Sequence, residues 1–122
     1  MRNTNFTVNG GLMWVLGYKT ERPRTAFLVQ NGGILEVLGG YQNFAGSQDE
    51  GQPTIHNIGS HVSYIGTNFM SRTYHQAIWE ERDGQSWKAE NRQFPRRDIG
   101  TGQGNYFIPL YVGYDPEVIP RH

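Results

Sequence analysis

Apolar and polar positions alternate in short bursts along this chain, and glycines separate the bursts. Phe6-Thr7-Val8 and Leu12-Met13-Trp14-Val15-Leu16 are followed by Ala26-Phe27-Leu28-Val29 and Ile34-Leu35-Glu36-Val37-Leu38. Thr54-Ile55-His56-Asn57-Ile58 and Val62-Ser63-Tyr64-Ile65 come next. Short runs of alternating character, rich in β-branched and aromatic residues and bounded by Gly, predict β-strands.

The bursts also repeat. Asn9-Gly10-Gly11-Leu12-Met13-Trp14-Val15-Leu16-Gly17 maps without a gap onto the stretch beginning Asn31-Gly32-Gly33 and ending Val37-Leu38-Gly39, a constant offset of 22 from Asn9 to Asn31. A looser third copy, from Gly59 to Gly66, lies 27 residues beyond Gly32. Hairpin turns at the Asn-Gly and Gly-Gly corners would suit an antiparallel sandwich. They do not explain why whole units recur at one offset. A unit of about 22 residues with two or three short strands fits a parallel β-helix, in which each coil climbs one strand spacing of about 4.8 Å. Like positions then stack: Asn9 under Asn31, Val15 under Val37, Leu16 under Leu38.

After Phe69 the period is lost. The stretch from Ala77 to Ala89 predicts a hairpin. A three-residue loop, Arg82-Asp83-Gly84, sets Trp79 opposite Trp87, whereas a two-residue Asp83-Gly84 turn sends the two indoles to opposite faces. The last strand, Tyr106 to Tyr114, contains Pro109, which cannot donate to a ladder and so belongs at an edge or a bulge. The expected organisation is one all-β domain, with about three β-helix coils over 1–70 and a capping hairpin and edge strand over 71–122.

The two Asn-Gly-Gly coils at 9–18 and 31–41, the hairpin around Arg82-Asp83-Gly84 and the segment Ile108-Pro109-Leu110-Tyr111-Val112-Gly113-Tyr114 together resemble a known group. They are similar to the carboxy-terminal coils and end segment of right-handed parallel β-helix proteins of the pectate-lyase-like superfamily. The resemblance implies a right-handed winding, an extracellular setting and a polysaccharide partner. In such proteins the chemistry sits on central coils that precede the final ones, so no catalytic residue is carried over.

Composition narrows the partners. Lys+Arg 11 balances Asp+Glu 11, leaving no basic excess for nucleic acid. No apolar run reaches the roughly 20 residues of a membrane helix, and the first residues lack a signal-peptide core. The chain is expected to be either cytoplasmic or a piece of a longer secreted protein, and a repeat beginning almost at residue 1 favours the second. Cys 0 removes disulfides and thiolate metal sites.

The candidate glycan-binding residues are Trp14, Tyr18 and Tyr41, on or just after the second strand of successive copies, with Glu36, Asp49 and Glu50 as carboxylates. Glu36 occupies the repeat position of Trp14, and Asp49 and Glu50 lie on the long loop after the second copy. Aligned aromatics suit stacking on sugar rings, but they also suit plain sheet packing. The carboxylates also suit a solvated surface. His56 and His61 flank a corner at no recognised ligand spacing, so no metal or cofactor is expected. Three functions remain in play: a non-catalytic carbohydrate-associated module, a self-assembling homo-oligomer or filament, and a small glycoside hydrolase or lyase using Glu36, Asp49 and Glu50.

Overall fold

The computed structural model describes residues 4–20, 25–44, 52–70, 76–98 and 104–114. The protein is all-β, and no α-helix occurs among the described residues. The first copy of the repeat gives β1 (Thr4–Asn9), β2 (Leu12–Val15) and β3 (Lys19–Thr20), and the second gives β4 (Thr25–Gln30) and β5 (Ile34–Phe44). The third gives β6 (Ile55–Ile58) and β7 (His61–Met70). Then come β8 (Gln76–Arg82), β9 (Gln85–Glu90), a 3-10 turn (Asn91–Gln93), β10 (Arg96–Asp98) and β11 (Gly104–Gly113).

Successive strands of each copy go to different sheets. One sheet runs β1-β4-β6-β8-β9 and the other β10-β11-β7-β5-β2, with β3 also on β5. The strands β1, β4, β6 and β8 are mutually parallel, as are β2, β5 and β7, whereas β9, β11 and β10 add antiparallel. Both sheets are therefore mixed. Register follows the repeat: Leu12 pairs with Ile34, Trp14 with Glu36 and Val15 with Val37, then Ile34 with His61 and Val37 with Tyr64.

The corners explain why the copies superpose. Gly10, Gly32 and Gly59 hold the same place in each copy and all have left-handed φ values, 68°, 71° and 56°. That region favours residues without a Cβ. Between the second pair of strands Asn31 also takes φ 55°, which asparagine tolerates. Its Nδ2 donates to Asn9 Oδ1, so the corners are joined by a side-chain amide bond as well as by backbone.

The buried cluster draws on both sheets and lies between them. Val15, Val37, Tyr64 and Tyr111 form one row across the second sheet, and Phe27, Ile55, Ile78 and Ala89 one row across the first. Phe27 is fully buried, stacked on Phe6 at 5.3 Å and met edge-on by Tyr18 at 5.1 Å. Removing an aromatic side chain of this size from water contributes about 2 to 3 kcal/mol. Beyond these rows the interior turns polar. Thr20, Gln42 and Asn68 follow one another across β3, β5 and β7, and Thr20 Oγ1 donates to Gln42 Oε1. Asn68 Nδ2 donates to Asn91 Oδ1 at 2.7 Å, and Gln42, Asn68 and Asn91 are all buried.

The hairpin departs from the first of its two possible registers. Arg82 pairs with Gln85, so the turn has two residues, with φ 52° at Asp83 and 74° at Gly84. Two successive positive φ values match the right-handed twist of the flanking strands. Glu80, not Trp79, therefore faces Trp87, while Trp79 faces Lys88. Pro109 falls where the β11–β7 ladder slips, between Ile108 and Tyr111.

Candidate functional site

Among the described residues, two clefts have both an indole and a carboxylate in their walls, and they lie on different parts of the molecule. The first is on the outer face of the β2-β5-β7 sheet. Because Met13, Val15, Leu35 and Val37 point inward, strand alternation sends Leu12, Trp14, Ile34, Glu36 and Leu38 outward. Trp14 is 70% exposed. Its register partner Glu36 lies beside it, and the two share a groove of about 400 Å³ with Leu16 and Leu38.

The other sequence candidates do not join that groove. Tyr18 turns inward: its ring meets Phe27, and its hydroxyl shares a 2.5 Å hydrogen bond with that of Tyr64. Burial pushes the Tyr18 and Tyr64 hydroxyls well above the ordinary tyrosine value, and for Tyr18 the neighbouring Tyr64 adds to the shift. Tyr18 is held there by Gly40, where a Cβ would overlap its ring. Tyr41 lies further along β5, past the slip in register between Leu38 and Tyr41, half-buried between Lys19 and Thr67. Asp49 and Glu50 lie outside the described residues.

The second surface was not singled out from the sequence. At the end formed by β8, β9 and β11, two adjoining cavities of about 460 and 280 Å³ both have Glu80 and Trp87 in their walls. Tyr111, Phe94 and Leu110 line the larger, and Arg82, Asp83 and Gln85 the smaller. Trp87 stacks on Tyr111 at 6.2 Å with 22° between the rings. Tyr111 Oη donates to Glu80 Oε1 at 2.6 Å and accepts from Asn57 Nδ2 at 3.1 Å. Asn57 is in turn fixed by donating to the Gly113 carbonyl at 3.3 Å and accepting from the Ser60 amide at 3.0 Å. Burial, and then the hydrogen bond to Glu80, push the Tyr111 hydroxyl upward, so it stays protonated and keeps donating.

A sequence signal for this cluster does exist. Val8, Val29, Asn57, Glu80 and Trp87 form one inward row across the first sheet. An amide and a carboxylate stand where the first two copies carry valine, and polar groups at inward positions need partners.

On the outer face of the same sheet His56 stacks on Trp79 at 4.1 Å, Lys88 Nζ sits 4.5 Å above the Trp79 ring, and His56 Nε2 lies 2.7 Å from Glu81 Oε2. His56 is only 7% exposed, so this is a packed stack. Among the described residues no group of three His, Cys, Asp or Glu is placed to hold a metal ion, and no helix is long and apolar enough to cross a membrane. No family model matches the chain, nor does any curated protein or solved structure.

Proposed function

We propose that this chain is the terminal part of an extracellular right-handed parallel β-helix protein of the pectate-lyase-like kind, and that it binds glycan without cleaving it. The parallel pairing of β2, β5 and β7 at the spacing of the repeat supports the architecture. The groove at Trp14 supports the function. An indole 70% exposed on a rigid strand, with the Glu36 carboxylate as its cross-strand neighbour, offers a face for the C–H side of a sugar ring and an acceptor for its hydroxyls. Among the described residues Glu36 is the carboxylate that lines the groove, whereas glycoside cleavage uses a pair. Retention on a panel of insoluble polysaccharides tests this. Binding to at least one, lost in Trp14→Ala, is the expected result, and no retention on any of them counts against the reading.

A second reading is self-assembly. At one end the sheets finish on β1 and β2, whose outer edges have no strand partner among the described residues. Leu12, Leu16, Leu38 and Ile65 are exposed on the adjoining face. Bare edges beside apolar surface invite strand addition. Light scattering that shows a strict monomer at high concentration eliminates this reading.

A further inference from the structure

We infer that the cleft at Glu80 and Trp87 is a second saccharide site, for a neutral pyranose unit and its neighbour in a chain. The ligand class rests on the glycan-binding reading above, but the residues are entirely different. The argument starts from preorganisation. Glu80 is a carboxylate whose position is set by a relay of three groups, Asn57 to Tyr111 to Glu80, anchored at both ends of the amide by backbone. Tyr111 uses one oxygen of the carboxylate once, and an ionised carboxylate accepts about four hydrogen bonds. Most of its accepting capacity is thus left for hydroxyl donors in the cleft.

The indole supplies the other half of a sugar site. Trp87 is 49% exposed even though it stacks on Tyr111, and it borders both cavities. A ring braced from one side by a buried tyrosine loses little freedom when a ligand lies against it, which favours affinity. The larger cavity, about 460 Å³, falls in the lower part of the usual range for small-molecule sites, about 300 to 1,000 Å³, and the smaller, about 280 Å³, lies just below it. That is room for one or two sugar rings rather than for a large cofactor. Charge selects among sugars. Glu80 and Asp83 both line the smaller cavity, and among the described residues there they outnumber the one guanidinium, Arg82, which also donates to the Ser60 carbonyl. An acidic sugar would meet two carboxylates, so the neutral one is favoured.

The test uses the chain's three tryptophans, Trp14, Trp79 and Trp87, whose indole N–H resonances report separately on the groove, the outer stack and the cleft. The labelled protein is titrated with cellobiose, maltose and lactose, and in parallel with digalacturonate. The Trp87 resonance is expected to move with at least one neutral disaccharide and not with the uronate. Glu80→Gln keeps an oxygen to accept from Tyr111, so the fold is retained, and the Trp87 response is expected to weaken about ten-fold or more. Movement of Trp14 alone overturns this second site and leaves the first standing. Stillness of both indoles overturns this second site, and retention on the insoluble polysaccharides then decides the first. Equal affinity in Glu80→Gln, or tighter binding of the uronate, overturns the role given to the carboxylate.

Discussion

The repeated half of the molecule and its closing half are held together in different ways. From β1 to β7 the strands are parallel, and like residues meet like: Phe6 on Phe27, Val15 on Val37, Asn31 on Asn9. β8 still adds in parallel, but from β9 onward the added strands run antiparallel, and unlike residues meet. Trp87 lies on Tyr111, and Tyr111 bonds both Asn57 and Glu80. In the first half stability is spread over equivalent rows, and the outer face is left apolar. In the second, a few polar groups are fixed by one another beside a cleft. Repetition builds the scaffold, and the departures from it build the most specific chemistry.

The largest test of that contrast is Phe27→Ala. The ring is fully buried between Phe6 and Tyr18, and its removal is expected to destabilise the protein by about 3 to 5 kcal/mol in urea unfolding. Trp87→Ala, at a half-exposed ring, is expected to cost about 1.5 kcal/mol. Equal losses would mean that the closing half carries as much of the core as the repeated half.

Alkaline unfolding sharpens the comparison. Tyr18, Tyr64 and Tyr111 are all pushed above their ordinary value of 10.0. The unfolded chain therefore loses these protons first, and above about pH 10 stability falls as pH rises, by about 1.4 kcal/mol per pH unit for each tyrosine. Below that pH the contribution is complete. The slope is expected to flatten by about two-thirds in a Tyr18→Phe, Tyr64→Phe double variant and by about one-third in Tyr111→Phe. A slope unchanged in the double variant would remove the buried pair from the repeated half.

The smallest effects come from the two turns. Asn31 and Asp83 are the non-glycine residues with positive φ among those described, one in each half. Replacing either by alanine is expected to cost about 1 kcal/mol for the left-handed conformation. Asn31→Ala should cost slightly more, because it also breaks the bond to Asn9. Thermal unfolding of both, beside the glycine variants, separates the backbone effect from the amide bond.

Legibility in the sequence follows the same divide. The period displayed the parallel registers because each residue's partner resembles it, and Trp14 beside Glu36 could be read by aligning copies. The inward turn of Tyr18 depends on Gly17, at φ 128°, which breaks the alternation after Leu16 as Gly39 does after Leu38, and on Gly40, which leaves room for the ring. The hairpin offered two registers in the sequence, and the strand twist selects between them through Asp83 and Gly84. The cleft was hidden because Tyr111 arrives from a strand that reverses direction and shares no repeat with Asn57 or Glu80.

The row of buried amides has a consequence for folding fidelity. In parallel ladders of Leu, Val and Ile, sliding one strand by two residues keeps every apolar side chain inside, so oil alone sets the facing but not the alignment. Gln42 and Asn68 break that degeneracy. A shifted β5 or β7 would bring each amide opposite a non-matching neighbour with its polar atoms stranded, so this row acts as a vernier that admits a single alignment of the two strands.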